Sequence, residues 1–499
     1  MAASRKKETP LTLTLLLAPS LHRVVFAEAD SRFVDVLLSF LTLPVATVIR
    51  LTRSSSFPGS LPCLYESVRS LDPGLLRSPS CKPMLLSPRS AAGSRCEELG
   101  INVDDSDHRV YYKCSNSRSC CRFSTVSAVE GVRCGCGGVL EVPIRRVAGK
   151  EDGDGVFVEG AGRFMVGDDL KVMPVSMGEG LEMMRRLGVE DGSEVEKRIV
   201  EVGSEEILML LKRSLVSETP LTDVFLREPD NIDFVEKLVG TSIAQARGKH
   251  NRTTRDPKRI NVKLYLSTES NRVVCAESGK EFVDLLFSFL TFPLGAILKL
   301  LNMHAFIGCI DNLYKSVELL SSGCGYMKSE ESKDMLLAPK LAPHFSCSSQ
   351  LLDIGEVFRQ KIRTSACRTC EAPVTADRCF HGMQYGVYDE INPKRQNSDL
   401  EQEEGYVKGL VKFMVTDELE VTPLSPISGV NIIQKLMLPV NCLEETEASL
   451  GETEALDLLQ ACLISRTPLS DIFSPCLLTL LQENWFGKLP SKTSDMKKM

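Results

Sequence analysis

Two runs of alternating hydrophobic and polar residues, one in each half of the chain, predict a matching pair of strands. LTLTLLLA (11–18) alternates, and INVKLYLS (260–267) alternates in the same way. Alternation with a period of two is typical of a strand that buries one face. A predicted turn follows each run (19–20 and 269–270), and a second predicted strand then ends in Ala-Glu. Each half is therefore expected to open with a β-hairpin.

A helix is predicted directly after each hairpin. In the first half, apolar Phe33 and Leu37 recur at helical spacing, while Asp35 and Ser39 lie on a polar stripe, and Asp284 occupies the place of Asp35 in the second half. This pattern is typical of an amphipathic helix. We interpret the polar stripe as a solvated face, the alternative being that Asp35 and Asp284 are buried functional acids.

Further along each half, the pattern returns to strands and then to helices. FMVGDDLKV (164–172) and FMVTDELEV (413–421) alternate like β-hairpins. GSEEILMLLKRSLV (203–216) predicts a helix capped by Ser204, and ETPLTD predicts another that Thr219 caps. Mixed strands and helices in this order favour an α+β fold.

The two halves are written with the same blocks of sequence. RVVFAEADSRFVDVLLSFLTLP begins at Arg23, and RVVCAESGKEFVDLLFSFLTFP begins at Arg272. Further paired blocks keep the same order: LYESV and LYKSV, MLLSPRSAAGSRC and MLLAPKLAPHFSC, RFMVGDDLKVMPVS and KFMVTDELEVTPLS, SETPLTDVF and SRTPLSDIF. Such repetition predicts two tandem homologous modules. Each would hold a β-hairpin followed by helices, with an inserted cysteine region that resembles a zinc ribbon.

The repeats set the expected domain boundaries. They are a tail (1–8), copy one (9–245), a basic linker (246–257), copy two (258–489) and a second tail (490–499). Each copy is long enough to bury most of its apolar surface, so we expect each to fold alone. The basic linker could act in nuclear import or contact phosphates, but such a run is more often simply solvated.

Two apolar runs imitate targeting or membrane segments. The basic start and the apolar run 11–18 resemble a secretory signal, but the counterpart of that run (260–267) lies in mid-chain, where it cannot be a leader. The run 285–298 is shorter than the ~20 residues that cross a bilayer, and Pro293 interrupts it. We therefore expect no membrane span, a cytoplasmic or nuclear location, and reduced thiols.

The composition of the chain restricts the kinds of molecule that it is expected to bind. The 499 residues carry a formal net charge of −7, which disfavours a surface shaped throughout for nucleic-acid phosphates. A local basic patch is compatible with this charge. A hydrophobic content of 43% is typical of a globular protein with a sizeable core.

The strongest chemical signal of the first half is a group of cysteines. YYKCSNSRSCC followed by RCGCGG supplies Cys114, Cys120 or Cys121, Cys134 and Cys136. A disulfide between Cys134 and Cys136 would close a very small strained ring. A metal ion accepts two thiolates from a tight turn, and glycine lets the backbone bend around it.

The second half has Cys367, Cys370, Cys379 and His381 at the corresponding place. Cysteine and histidine share little as core residues, but both bind zinc. The sequence therefore predicts up to two structural zinc ions, each with four protein ligands and no open position for chemistry. The alternative is that these residues are ordinary reduced thiols.

The sequence matches none of the common catalytic motifs, and its six histidines provide few candidates for a general base. The acid pairs at 168–169 and 417–418 could pair for acid–base catalysis, but they are interpreted as turn residues. We interpret the chain as a non-enzymatic protein that binds protein partners through its zinc-stabilised modules. The alternatives are nucleic-acid binding through the ribbons and the basic linker, or an enzyme whose active site shows no known motif.

The repeated blocks resemble a known family. The block VVFAEADSRFVDVLLSFLTLP, the MLLSPR block, the cysteines from YYKC to RCGCGG, the hairpin FMVGDDLKVMPVS and the ending SETPLTDVFL together resemble the plant family called domain of unknown function 674. The resemblance covers nearly the whole chain in two tandem copies. It implies plant origin, and it brings no activity, ligand or catalytic residue.

Overall fold

The protein is described from a computed structural model. The described residues are 10–53, 57–116, 125–147, 155–227, 258–303, 308–321, 325–348, 350–358, 361–367, 383–395 and 405–474. We call residues 10–227 the first half and residues 258–474 the second half. The described residues form a mixed α+β fold, as the sequence predicted, and they contain three sheets.

The elements follow one another in a similar order in the two halves. The first half contains β1 (Leu11–Ala18), β2 (Arg23–Asp30), α1 (Ser31–Ser39), α2 (Val45–Leu51), α3 (Leu61–Ser70), α4 (Cys81–Leu86), α5 (Gly93–Cys96), β3 (Val110–Cys114), β4 (Thr125–Ser127), β5 (Val132–Arg133), β6 (Val139–Arg145), β7 (Arg163–Gly167), β8 (Val172–Pro174), α6 (Met177–Arg186), β9 (Glu196–Val202), α7 (Ser204–Ser214) and α8 (Pro220–Phe225). The second half contains β10 (Ile260–Ser267), β11 (Arg272–Ser278), α9 (Lys280–Thr291), α10 (Leu294–Leu300), α11 (Ile310–Ser321), α12 (Glu330–Leu337), β12 (Ile362–Cys367), β13 (Met383–Glu390), β14 (Phe413–Thr416), β15 (Val421–Pro423), α13 (Pro426–Lys435), β16 (Leu443–Leu450) and α14 (Glu452–Ile464).

Two five-stranded sheets have the same order of strands. One runs β8-β7-β2-β1-β9, and the other runs β15-β14-β11-β10-β16. The opening hairpins also share a register, since Thr14 pairs with Glu28 and Lys263 pairs with Glu277. The strands predicted for the opening hairpins are thus interior strands of these sheets, where one face must be buried.

The helix after each opening hairpin is buried except at its first turn, where Arg32 and Glu281 are exposed. Phe33 and Leu37 are 0% exposed, and the residues predicted to lie on a solvated face are also buried, with Asp35 and Ser39 at 1% exposed. Asp284 is 0% exposed. The interpretation of this stripe as a solvated face is therefore wrong, because chain from elsewhere in the fold packs over it.

The long apolar run of the second half is two helices rather than one. α9 ends at Thr291 and α10 begins at Leu294, with Pro293 between them. Proline lacks the N–H that a continuous helix would need at this point. Among the described residues, no helix combines the length and the apolar character that crossing a membrane requires.

The predicted helix starts are found, but their caps differ from the prediction. α7 begins at Ser204, so the cap position belongs to Gly203, whose N–H donates to the carboxylate of Glu206 at 2.8 Å. Thr219 precedes α8 without a capping hydrogen bond from its side chain. Asp168 supplies that bond from the β7–β8 turn, since its carboxylate accepts from the N–H of Thr222 at 2.8 Å.

One hydrophobic core runs through both halves. It contains Leu13 and Phe33 from the first half together with Leu264 and Phe282 from the second. The helix α1 packs on β1, β2 and β7, and α9 packs on β10 and β11, while α2 contacts α9. These helices and α10 supply much of this core. The core therefore gains residues from both copies of the repeated sequence.

A third sheet joins the inserted regions of the two halves. Its strands run β12-β13-β4-β3-β6-β5, and β13 pairs with β4 in parallel. The third sheet folds back on itself, because Arg146, directly after β6, forms an antiparallel bridge with Thr364 in β12. A small core lies inside it, formed by Tyr111, Val126, Ile144 and Ile362.

Candidate metal centre

Three cysteines of the first inserted region lie together in the third sheet. The sulfur atoms of Cys114, Cys134 and Cys136 all lie within 4.8 Å of one another, and those of Cys114 and Cys136 are 3.6 Å apart. Three of the residues predicted as ligands from spacing are thus close in space. Among the described residues, this group of thiols could hold a metal ion.

Two strands and one turn position these sulfurs. Cys114 ends β3, and Cys134 follows β5 directly. The chain reverses in the turn from Cys134 to Gly138, where the N–H of Cys134 donates to the carbonyl of Gly138 at 2.8 Å. Gly137 has a φ of +85°, a left-handed conformation that glycine adopts at little cost. The glycines of RCGCGG therefore make the turn that brings the second pair of sulfurs toward Cys114.

The surroundings of the sulfurs fit a structural metal site. Cys114 and Cys134 are 3% and 4% exposed and pack against Val132 and Leu140. The N–H of Gly138 donates to the sulfur of Cys136 at 3.4 Å, as such groups do to metal-bound thiolates. Sulfurs around a tetrahedral zinc lie ~3.8 Å apart, given a Zn–S distance of about 2.3 Å. The 3.6 Å between Cys114 and Cys136 is close to that separation.

Burial sets the acidity of this group. It raises the pKa of the Cys114 thiol, and the neighbouring thiols of Cys136 and Cys134 raise it further. A divalent ion would replace the protons that these thiols hold, because metal ligands must be deprotonated. The three thiols can thus bind a soft cation, and with a fourth protein ligand they would leave it no open position for a substrate.

The side chains of the remaining predicted ligands lie outside the described residues. Cys120 and Cys121 lie outside the described residues, so the fourth ligand of the first site stays a prediction. In the second half, Cys367 ends β12, but its side chain lies outside the described part, as do Cys370, Cys379 and His381. The second zinc site therefore also stays a prediction.

The isolated cysteines differ from one another in burial. Cys81, Cys275, Cys309, Cys347 and Cys462 are buried, Cys96 and Cys442 are partly exposed, and Cys63 is exposed. Burial raises the pKa of Cys275 to about 11, so this thiol is protonated at neutral pH. From sequence, isolated cysteines of this kind are most simply predicted to be small buried hydrophobes. The prediction is confirmed for the buried members only. Cys324 and Cys476 lie outside the described residues.

Two buried carboxylates hold backbone segments in place. Asp35 accepts hydrogen bonds from the N–H groups of Val156, Phe157 and Val158 at 2.6, 2.8 and 2.9 Å. Burial nevertheless raises the pKa of Asp35 to about 6, since it opposes the charged form more strongly than these donors favour it. The group is an anchor for the chain that enters β7.

Asp284 does the same in the second half. Its carboxylate accepts from the N–H groups of Tyr406 and Val407 at 2.7 and 3.1 Å. Burial raises its pKa to about 7, against the opposing charges of Lys280 and Lys394. A sequence signal for both anchors existed, because an acidic residue recurs between apolar neighbours at the same place in both copies.

A buried lysine was missed by sequence reasoning. Lys394 is 1% exposed, its ammonium donates to the carbonyl of Ser346 at 2.5 Å, and it lies 4.5 Å from the centre of the Tyr406 ring. The Tyr406 hydroxyl donates to the carbonyl of Phe345 at 2.7 Å. Lys394 stands in a polar stretch of sequence, which carries no sign of burial.

The acid pairs of the two hairpins also reach beyond their own turns. Asp168 accepts from the N–H and the hydroxyl of Thr222 and from Arg23, and Asp417 accepts from the N–H and the hydroxyl of Ser470. Asp168 and Asp417 therefore tie the hairpin turns to the helix starts TPLT and TPLS. Both acids thus have a structural role in the fold.

Comparison with known proteins gives one result. No curated protein and no solved structure matches the chain. One family model matches residues 7–452. The chain therefore belongs to the family described as "Protein of unknown function (DUF674)".

Proposed function

We propose that this chain is a non-enzymatic intracellular plant protein in which zinc stabilises two duplicated modules that bind protein partners. The observation that carries the proposal is the cluster of Cys114, Cys134 and Cys136. Its three sulfurs converge in a part of the fold with a very small apolar core. A metal cross-link contributes most where a hydrophobic core is small.

Zinc suits the donors better than other common ions. Thiolates are soft ligands that favour Zn²⁺, Cu(I) and iron–sulfur clusters over Mg²⁺ or Ca²⁺. The exchange of Cys136 for His381 between the copies is also typical of zinc sites. Cys120 or Cys121 would complete the first site, and Cys367, Cys370, Cys379 and His381 would form the second.

Duplication is supported by order and register. The two five-stranded sheets share a strand order, and their opening hairpins share a shift in register, between Leu16 and Leu17 and between Tyr265 and Leu266. Matching irregularities of this kind are expected of two copies of one unit. The proposed modules are the predicted copies, 9–245 and 258–489.

An exposed apolar face on the second half supports a role in protein binding. On α13 and the turn after it, Ile427, Val430, Met437 and Val440 are 75%, 51%, 90% and 74% exposed. Contiguous exposed apolar residues often mark an interaction site. We call these four residues the α13 face.

Charge around the α13 face indicates the kind of partner. Residues 417–450 include six carboxylates and a single lysine, although Asp417 is held by Ser470 and Glu445 is paired with Lys263. Glu444 is the second residue of β16, the strand that follows the α13 face in the chain, and it is exposed. An apolar stripe with an acidic rim complements an amphipathic helix that carries lysine or arginine beside its apolar side. The proposed occupant is such a basic helix of another protein.

Metal content tests the first part of the proposal. The full chain, purified without chelator, should contain zinc, and Cys134→Ser should lower its zinc content by one ion per chain. Cys63→Ser is the control, because Cys63 is exposed and lies outside the cluster. Equal zinc in Cys134→Ser and in wild type would remove the cluster from the proposal.

A peptide titration tests the second part. A fluorescent helix of leucine and lysine, arranged with one apolar side, should bind the full chain, and a scrambled peptide of the same composition should bind more weakly. Ile427→Asp with Val430→Asp should reduce affinity at least tenfold. The matched control is Met177→Asp on α6, where Met177 is 79% exposed. Equal affinities for all proteins would exclude the α13 face.

The alternative of nucleic-acid binding is separated in the same way. Retention of the full chain on DNA or RNA that weakens steeply with added salt would favour that alternative. The net charge of −7 opposes it.

A further inference from the structure

The two halves meet at residues that occupy the same place in the repeated sequence. Pro44 in SFLTLP faces Pro293 in SFLTFP in an antiparallel bridge. The N–H of Val45 donates to the carbonyl of Phe292 at 3.0 Å, and the N–H of Leu294 donates to the carbonyl of Leu43 at 3.0 Å. Self-pairing of equivalent residues is the signature of a twofold interface.

Around this point, each half places a helix on the hairpin of the other. α3 of the first half lies against β15, where the hydroxyl of Ser67 accepts from the N–H of Val421 at 3.0 Å. α11 of the second half lies against β8, where the hydroxyl of Ser316 accepts from the N–H of Val172 at 2.8 Å. Ser67 and Ser316 are the same serine of LYESV and LYKSV. The exchange is therefore reciprocal.

The entry to each exchanged helix is fitted to the other half by a glycine. Gly59 has a φ of +74°, and a Cβ placed there would lie 2.2 Å from the carbonyl oxygen of Cys462. Gly308 has a φ of +50°, and a Cβ there would lie 2.3 Å from the carbonyl oxygen of Ser214. Both the backbone conformation and the close approach require glycine.

Hydrogen bonds complete these two contacts. The N–H of Ser60 donates to the carbonyl of Cys462 at 3.0 Å, and the N–H of Cys309 donates to the carbonyl of Ser214 at 2.7 Å. The carbonyls belong to the ends of α14 and α7, where helices have acceptors without partners in the helix. The start of each exchanged helix thus satisfies the end of a helix in the other half.

We propose that the two halves form an exchanged pair. In this pair α3 covers the hairpin strand β15 of the second half, and α11 covers the hairpin strand β8 of the first. The surface that each sheet offers has one occupant, the equivalent helix of the other half. A half deprived of its partner would expose the buried hairpin N–H of Val172 or Val421 together with the apolar core beneath. This differs from the expectation that each half folds alone, while the boundaries of the copies stay a prediction.

The test uses the full chain with a specific protease site inserted within 246–257. The folded chain is cut there and then examined by size-exclusion chromatography with light scattering, and by thermal unfolding. The two fragments should elute together at the mass of the intact chain and unfold in one transition. Fragments that separate into two folded monomers would overturn the proposal.

A matched pair of glycine variants tests the exchanged helix itself. In the cut protein, Gly308→Val should weaken association of the fragments at least tenfold, because its side chain would collide with the other half. Gly429→Val is the control, since a Cβ there meets nothing within 4 Å. An unchanged dissociation constant for Gly308→Val would contradict the exchange.

Hydrogen exchange in the uncut chain gives a second readout if the cut variant aggregates. Gly308→Val should increase amide exchange at the end of α7 in the first half, although the substitution lies in the second half. Increased exchange confined to the second half would overturn the proposal.

Discussion

The carboxylate of Asp168 binds both the N–H and the hydroxyl of Thr222, at 2.8 and 2.7 Å. The two residues are separated by the whole of α6, β9 and α7 in the chain. Asp168 lies in the turn after β7, and Thr222 lies in the first turn of α8. A hairpin turn therefore caps a distant helix, and the acid at that turn is a structural residue.

The first prediction concerns this cap. Asp168→Ala should lower the free energy of unfolding by ~0.5–2 kcal/mol, because the first turn of α8 loses its acceptor. Urea unfolding followed by circular dichroism would measure it. Asp353→Ala is the control, since Asp353 is exposed. Equal losses in both variants would show that Asp168 does not act as a cap.

The second prediction concerns the glycine behind the thiols. A Cβ at Gly138 would lie 2.8 Å from the sulfur of Cys114 and 3.3 Å from that of Cys136. Gly138→Ala should therefore displace the sulfurs and weaken zinc binding, by ~10-fold or more as for other residues around metal ligands. Competition with a chromophoric chelator would measure the affinity.

The same turn supplies the control for Gly138→Ala. A Cβ at Gly135 meets nothing within 4 Å, so Gly135→Ala should keep the affinity of the wild type. If both variants bind zinc as tightly as wild type, the sulfurs do not form the site as described.

The third prediction concerns pH and Asp35. The pKa of Asp35 is raised from 3.8 to about 6 in the fold, so between these values the folded chain holds a proton that the unfolded chain has lost. The resulting contribution to stability is complete below pH 3.8 and is lost as the pH rises through about 6. At 1.36 kcal/mol for each pKa unit, it amounts to at most ~3 kcal/mol.

Asp35→Asn should remove this contribution. The variant should therefore show a flatter fall of unfolding free energy between pH 4 and 6 than wild type, measured by urea unfolding at several pH values. Asp353→Asn should keep the slope of wild type, because Asp353 is exposed. Parallel curves for Asp35→Asn and wild type would contradict the raised pKa. The charge of Lys328 opposes the rise in the pKa of Asp35.

The fourth prediction concerns Tyr406. Its hydroxyl is fully buried and donates to the carbonyl of Phe345, so Tyr406→Phe would leave that carbonyl without this donor. The expected loss is ~1–3 kcal/mol of unfolding free energy. Tyr388→Phe is a control, because the side chain of Tyr388 is only partly buried. A loss no larger than that of the control would show that the bond contributes little.

Local pattern determined a large part of the secondary structure. Alternation predicted β1 and β10, because the pattern of a strand that buries one face depends on neighbouring residues. The repeated blocks also led to the cysteines. The turn RCGCGG determines the separation of Cys134 and Cys136 through a few backbone angles.

Long-range contacts could not be predicted in this way. The sequence placed Asp35 on a solvated stripe, whereas the fold buries it beneath the chain at Val156. Helical spacing shows which residues share a face, but it does not show what will cover that face. The approach of Cys114 to Cys136 likewise depends on the pairing of β3 with β6.

The sequence by itself determined that the chain contains two sets of similar elements, with the cysteine turn in the first. Only the tertiary structure decided that α3 lies on the hairpin of the second half and α11 on that of the first. The physical reason is that both hairpins present the same surface and both helices present the same serine, Ser67 or Ser316. Local sequence is equally compatible with a helix packing on its own sheet or on its neighbour's, and the choice depends on the geometry around Pro44 and Pro293.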